Sequence, residues 1–353
     1  MIGCHAAAAL AAAGHRVTAL VRDPEKLVRV MAPFSAGSAV EARRGDITDP
    51  ESVRRALEGC EGLLHGAGIF SHSRGDAELL DAVNVQGAEN VLTAAVEARL
   101  ERILFVSSAM AIFSPGLSQQ RASDPVAVTR NMYSSSKARA EQCARSLQEG
   151  GAPLLIVYPS AILGPHDPTV GSAPGVMAEA MRGGRILVTE GGLAYTDVRD
   201  LAELFVVLFA AADPPRRLMS TSEFLTHPRY YEHLCELTGR ELKAQRLPGR
   251  ALRWMGRTND VVQALRRGSS RVSAEAMNIL TRSVPVDDAE ARGLMGRDAT
   301  PMRNSLRDTL SWMHEAGILE AQHVGRLASR SADDPVGILV EGPARPGEFG
   351  GPT

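Results

Sequence analysis

Four short apolar runs, Val17–Val21, Gly62–His65, Ile103–Val106 and Leu154–Tyr158, are each closed off by glycine, proline or charge. Runs this short, with no polar alternation, predict strands buried on both faces of a parallel sheet. Val40–Arg43 is a weaker fifth candidate. Helical patterns fill the intervals. Pro24 sits at a first helical position, Asp49-Pro50 opens another helix, and Asp81 to Ala98 carries Val83, Val91, Leu92 and Ala95 at helical spacing. Strands alternating with helices predict a doubly wound α/β sheet.

Past about residue 165 the pattern becomes mainly helical, with short strands near Ile186–Val188 and Tyr195–Val198. This division predicts a sheet domain over 1–165 and a smaller, mainly helical domain over 166–320 with segments returning to the first. From Ser331 to Thr353 nine of 23 residues are Gly or Pro, the composition of a disordered tail. At the other end Ala6–Ala13 is apolar, but no Lys or Arg precedes it as one would in a signal peptide. The run reads instead as an Ala-rich helix capped by Gly14 and followed by the Val17 strand.

Composition narrows the function. A length of 353 residues allows two domains at roughly 150 residues each. With 44% hydrophobic and 23% charged residues the chain is ordinary globular protein, and a net charge of −2 points to no polyanionic partner. The longest purely apolar run, Leu204–Ala212, is nine residues, against about 20 for a membrane span. Cys4, Cys60, Cys143 and Cys235 form no CxxC pair and fit a reducing, cytoplasmic compartment. The nine histidines show no metal-ligand spacing, so no metal is expected.

The chemistry-bearing pattern is Tyr133-Ser-Ser-Ser-Lys137, with Ser107-Ser108 at the end of the Ile103–Val106 strand. Tyr and Lys at i and i+4 share a helix face, so the ammonium can sit beside the phenol and lower its pKa from about 10 toward a usable acid–base value. A Ser at the C-terminal end of a strand lies at the crevice where α/β sheets bind ligands. A Tyr-x-x-x-Lys match alone is common, and a solvated helix face carries it equally well. The surrounding residues decide.

With those residues in place, the chain resembles the extended short-chain dehydrogenase/reductases, within the NAD-dependent epimerase/dehydratase superfamily, and among them the dihydroflavonol-reductase-like branch. The resemblance runs through most of residues 1–316. Gly45-Asp46-Ile47-Thr48-Asp49 looks like the loop after the family's third strand, where Asp46 would contact adenine with Ile47 beside it. His65-Gly66-Ala67-Gly68 looks like the loop beside the pyrophosphate and ribose. Asn84-Val-Gln-Gly87-Ala-Glu-Asn90 is similar to the family's Asn-containing helix, where Asn84 reads either as a helix crosslink or as part of a water relay. Ser108, Tyr133 and Lys137 match the catalytic trio. Tyr158-Pro159-Ser160-Ala161-Ile162-Leu163-Gly164-Pro165 looks like the segment that touches the nicotinamide, through Pro159, Ser160 and Ile162. Tyr195 to Ala202 and Ser305 to Trp312 resemble two landmarks of the second domain. His65 reads as a packing residue.

One departure stands out. The family's phosphate loop is a strand followed by G-x-x-G-x-x-G opening a helix, and Met1-Ile2-Gly3 corresponds to its end, so Gly3 alone of the three glycines is present. In the order 3-2-1-4-5-6 the strand before it is central, and without it both neighbours have exposed ladder groups. Two explanations are open: a reading frame that begins further upstream, carrying a buried apolar strand and two glycines, or a degenerate chain that no longer binds cofactor. At the end of the second strand, where an NAD site carries Asp or Glu, stands Arg22, followed by Asp23. A guanidinium there suits a 2′-phosphate, and NADP(H) is expected over NAD(H).

The resemblance thus implies NADP(H)-dependent reduction of a small carbonyl compound, or the reverse alcohol oxidation. Rival readings are a nucleotide-sugar epimerase or dehydratase with bound NAD, disfavoured in its dehydratase form because Ala109-Met110 rather than an acid follows Ser108, and a non-catalytic dinucleotide-binding regulator. Family members often dimerise through two long helices, here near 81–98 and 131–149. Arg240 to Arg271 holds nine basic residues against Glu241 and Asp260, interleaved with apolar ones. It reads either as a solvated helix pair capping the substrate pocket or as a weak contact with an anionic membrane surface; no nucleic-acid-binding fold accompanies it.

Overall fold

The computed structural model describes residues 1–71, 74–129, 131–266 and 273–329. The tail expected from Ser331 onward lies outside the described residues. Strands are β1 (Val17–Val21), β2 (Val40–Arg44), β3 (Gly62–His65), β4 (Arg102–Val106), β5 (Leu154–Tyr158), β6 (Ala161–Leu163), β7 (Arg185–Val188), β8 (Gly192–Asp197), β9 (Arg217–Met219), β10 (Glu223–Thr226) and β11 (Lys243–Arg246). Around them wind α1 (Ile2–Ala12), α2 (Pro24–Met31), α3 (Pro50–Leu57), α4 (Ala77–Leu80), α5 (Gly87–Glu97), α6 (Met132–Glu149), α7 (Ser172–Gly183) and α8 (Val198–Ala210). The C-terminal part adds α9 (His227–Thr238), α10 (Gly249–Arg266), α11 (Ala274–Arg282), α12 (Ala289–Met295), α13 (Met302–Glu315) and α14 (Ala321–Val324).

The expected doubly wound parallel sheet is present, in two pieces. β3, β4, β5 and β9 pair in parallel in that order, and β1 pairs β2 separately. The division falls where the order 3-2-1-4-5-6 would put strand 1. All five residues of β1 are half-buried, and three of four in β3, while β5 is buried throughout. Helix α1 ties the two pieces together, packing on α8 and touching β1 and β2.

β4 and β5 show why the apolar runs lack polar alternation. Ile103, Phe105, Leu154, Ile156 and Tyr158 point into one core beneath α5 and α6. Leu104, Val106, Leu155 and Val157 point into another, filled by Leu201, Leu204, Phe205 and Leu208 of α8. The run Leu204–Ala212 therefore belongs largely to a core helix, and among the described residues no helix is long and apolar enough to cross a membrane. A third core joins α7, α9, α13 and α14 to β6, β8 and β10.

Several boundaries differ from the sequence expectation for local reasons. The strand expected at Tyr195–Val198 starts at Gly192 and stops at Asp197, whose carboxylate accepts from Arg199 N at 2.8 Å and so makes Val198 the first residue of α8. The helix expected over Asp81–Ala98 begins as a π turn, Asp81–Gln86, and becomes α-helical at Gly87. Apolar spacing did not reveal that turn, which buries the polar Asn84 beside Val85. The region past 165 also holds more strand than expected, since β9, β10 and β11 are too short to show a period.

Small residues let α6 lie close to the sheet: Ala140 and Ala144 are fully buried against the core of β4 and β5. Ala144→Leu is expected to cost about 1–3 kcal/mol through overpacking. Urea denaturation reads this directly, and an unchanged midpoint would show slack at this contact.

Candidate active site

The backbone ladder between β4 and β5 continues past both strands: Ser107 N donates to Val157 O and Ala109 N to Pro159 O, each at 2.9 Å. Ser108 lies between them and caps the short turn Ala109–Ala111, its Oγ accepting from Met110 N at 3.1 Å. Across from it α6 starts at a cap formed by Asn131, whose side chain accepts from Ser134 N at 3.0 Å. That cap sets Tyr133 in the first helical turn. The structure brings the Ser108 and Tyr133 side chains near enough for Ser108 to act on the phenol. Phe70 meets the Tyr133 ring edge-on with centroids 4.7 Å apart. One turn along, buried Lys137 donates from Nζ to Val106 O at 3.3 Å, 5.4 Å from the centre of the Phe105 ring.

The charge balance differs in one respect from the i, i+4 expectation. Burial raises the Tyr133 phenol above its ordinary value, with the neighbouring Ser108 side chain working against the rise. The expected lowering by Lys137 is not what is found, because that ammonium is turned to Val106 O and balanced by Glu141. Burial brings Lys137 itself down to about 8, Glu141 opposing. His65 stacks on Phe105 with centroids 5.7 Å apart and planes 11° off parallel. Burial, then the Lys137 charge, hold it down to about 3, so it stays neutral and packs.

Two loops are aligned by three residues of one helical segment. Asn84 accepts from Ile69 N at 2.8 Å and donates to Ile69 O at 2.9 Å and to Ser136 Oγ at 3.0 Å, clamping the loop after β3 onto α6. These bonds give Asn84 the crosslinking role of the two open readings. A Cβ on Gly68 would stand 3.2 Å from the Asn84 carboxamide oxygen. Gly87 leaves room for Ile47, whose Cδ1 would lie 2.7 Å from a Cβ there, and Asn90 donates to Ile47 O at 3.0 Å. Asp46 in the same loop accepts from Thr48 N and Oγ1, bonds that keep its carboxyl below the ordinary range.

This order of loops, helix and trio is a family pattern, and the comparisons agree. The family model described as "NAD dependent epimerase/dehydratase family" matches residues 1–219. The chain belongs to that family. It is 26% identical to the sterol demethylase protein B of Methylococcus capsulatus over 322 residues, covering 90% of this chain and 97% of that one. It is also 26% identical to a putative dihydroflavonol 4-reductase of Synechocystis over 325 residues, 88% of this chain and 90% of that one. Among solved structures, gox2253 superposes with a TM-score of 0.74 at 24% identity, over 91% of this chain and 97% of that one. The dTDP-glucose 4,6-dehydratase DesIV of Streptomyces venezuelae, with NAD and TYD bound, gives 0.69 at 18% over 91% and 96%. These last two show the fold.

Epimerase/dehydratase-family members are NAD-dependent, and the residues here fit a nicotinamide dinucleotide at the ends of β3–β5. Pro159 and Ser160 follow β5 directly, with Ile162 in β6. Ser160 N donates to Thr196 Oγ1 at 3.3 Å, while the buried Ser160 Oγ has no partner among the described residues, an open hydroxyl where the nicotinamide segment was expected. Ala67 and Gly68 present exposed backbone beyond β3, and Gly66 beside them is half-buried. Gly3 lies in the first turn of α1 with open space around it. Arg22 projects into solvent beyond β1, 4.0 Å from Asp46. Asp23 is engaged as the cap of α2, accepting from Glu25 N and Lys26 N.

The basic stretch resolves in part. Arg240 is taken up by Met181 O and His323 O, and Arg253 by Thr281 Oγ1. α10 and α11 pair, leaving Trp254 67% exposed. Arg267 and Arg271 lie outside the described residues. No metal-binding group of His, Cys, Asp or Glu occurs among the described residues. Glu141 went unnoticed in the sequence, and Thr196 was seen only as part of the Tyr195–Ala202 landmark. The signal for Glu141 was its place in the stripe Tyr133, Lys137, Glu141, Arg145, which reads as an exposed charge ladder until burial is known.

Three buried histidines make the fold acid-sensitive. Burial lowers His65 to about 3 and His5 and His227 to about 4, against 6.5 for the free side chain. Between those values the unfolded chain binds more protons than the folded one, so their contribution to stability is complete above about pH 6.5 and declines below it. The loss is about 1.4 kcal/mol per pH unit for each histidine. Urea midpoints at neutral and at mildly acid pH should therefore separate clearly, and equal midpoints would contradict the burial of these rings.

Proposed function

We propose that this chain is an NADP(H)-dependent oxidoreductase that reduces a small carbonyl compound, or oxidises the corresponding alcohol, with Ser108, Tyr133 and Lys137 as catalytic residues. The observation that carries the reading is the approach of Ser108 to Tyr133 at the strand ends with buried Lys137 one turn along. On this reading residues 1–165 form the cofactor half and 166–320 the substrate half, with α8 and β9 returning to the first. The bound cofactor supplies hydride chemistry. Gly3, Arg22, Asp46, Ile47, Gly66, Ala67, Gly68, Pro159, Ser160 and Ile162, with Tyr133 and Lys137, are the residues that would hold it.

In reduction, Tyr133 gives its phenolic proton to the substrate oxygen, and Ser108 donates a hydrogen bond that stabilises the developing alkoxide. Lys137, protonated at neutral pH and losing its charge around pH 8, holds the ribose of the bound nicotinamide beside Tyr133. Arg22 supports a 2′-phosphate, since Asp23 is occupied at the α2 cap and Arg22 faces solvent. The absence of a carboxylate at Ala109 and Met110 favours redox chemistry over dehydration. The first two relatives are a sterol demethylase protein and a putative dihydroflavonol reductase, which supports organic rather than nucleotide-sugar substrates.

A panel of small ketones and aldehydes, followed by NADPH oxidation, tests the reading. Tyr133→Phe should lower turnover by roughly 10²–10⁴-fold while NADPH affinity stays nearly intact. More than a tenth of wild-type activity in this variant would remove Tyr133 as the acid. Turnover of the wild type should also decline on the alkaline side around pH 8. Arg22→Asp should weaken NADPH binding about tenfold or more and spare NADH, because a charge-assisted bond contributes about 1.5–3 kcal/mol. An unmoved NADPH/NADH preference would leave Arg22 a surface residue.

A further inference from the structure

The catalytic stripe of α6 continues into a carboxylate that no step above uses. Glu141, one turn beyond Lys137, is 0% exposed. Its Oε2 accepts from Ser107 Oγ at 2.7 Å, and its Oε1 accepts from Tyr158 OH at 2.6 Å and from Arg145 Nε at 2.7 Å. Arg145 in turn donates to Tyr158 OH at 3.2 Å and to Asp124 O at 3.0 Å. The three elements that meet here each carry one part of the proposed site. Ser107 precedes Ser108 at the end of β4, Tyr158 precedes Pro159 and Ser160 at the end of β5, and α6 carries Tyr133 and Lys137.

We propose that Glu141 is a positioning residue, fixing Ser108, the Lys137 side of α6 and the Pro159–Ser160 crossing in one rigid frame. This rests on the catalytic reading above. Stability alone is a poor explanation for such a group, because a buried ion pair often stabilises no more than apolar residues of the same volume. Each carboxylate oxygen is engaged by donors from a different strand, which places the end of β4 against the end of β5 through side chains as well as through the ladder. The carboxylate also faces Lys137 on its own helix. Among the described residues the other ionisable group seen to feel that ammonium is His65 on β3, which is neutral, so Glu141 is the countercharge that opposes the effect of burial on Lys137.

The test uses the full chain and needs no substrate for its first arm. The sequence holds three lysines, Lys26, Lys137 and Lys243, of which the first and last are exposed. Lysine labelled with ¹³C at Cε therefore gives three resolvable NMR titrations. Glu141→Gln should move the Lys137 midpoint down by about one pH unit or more, as expected for removal of an opposite charge nearby. Glu141→Asp, which keeps the charge, should leave it close to wild type. The second arm is Ser107→Ala, which removes one hydroxyl from the frame. It should lower kcat about tenfold or more through misplacement of Ser108, with the NADPH dissociation constant, read by fluorescence, within about twofold of wild type on the same ground. A folded Glu141→Gln protein with an unmoved Lys137 midpoint, or Ser107→Ala with full kcat, overturns the proposal. An active Tyr133→Phe enzyme would instead defeat the catalytic reading, and the lysine titrations stand apart from it.

Discussion

Burial of β4 and β5 on both faces fills the middle of each strand with apolar side chains, so chemistry is confined to the place where they end. Ile103, Phe105, Leu154 and Ile156 fill one core and Leu104, Val106, Leu155 and Val157 the other. At the next residues the pattern reverses into Ser107, Ser108, Pro159 and Ser160. The same dryness makes each polar group there matter. Without water to screen it, the Lys137 ammonium loses protons more readily, the Tyr133 phenol gives its proton up less readily, and His65 stays uncharged. A site of this kind works through preorganised partners, and the Ser107–Glu141–Tyr158–Arg145 network is the local means of preorganisation.

The β1–β2 pair is joined to the rest by other means. β1 and β2 form their own pair, joined to the main sheet through α1 and α8 rather than by a strand ladder. Among the described residues β1 pairs only with β2 and β3 only with β4, and edges of this kind are ones that proteins ordinarily cover. The alignment of the two halves therefore falls to side chains. Asn84, Gly87 and Asn90 settle the loop after β3 and the loop after β2 against one helical segment, which explains why these three residues stand where they do.

Most of the architecture was legible in the sequence because it rests on local rules. Buried parallel strands give short apolar runs, and Asp23-Pro24 and Asp49-Pro50 announce helix starts that the structure places at the same residues. The candidate trio could be picked out because its spacing is set by one helix turn and one strand end. What escaped notice depends on tertiary burial. The apolar residues of the π turn at Asp81–Gln86 read as ordinary helix, the short strands β9 to β11 carry no period, and Glu141 looks like any helical charge until its surroundings are seen. The direction of the Tyr133 shift was misjudged for the same reason, since helix spacing predicts where a lysine can reach and not where a dry environment turns it.

The most direct test of this account is a crystal structure of the full chain grown with saturating NADPH. The account predicts the nicotinamide against Pro159, Ser160 and Ile162, with the Ser160 hydroxyl gaining a partner, its ribose on Tyr133 and Lys137, and the 2′-phosphate at Arg22. A dinucleotide seated with its nicotinamide away from Tyr133, or no bound dinucleotide at all, would contradict it.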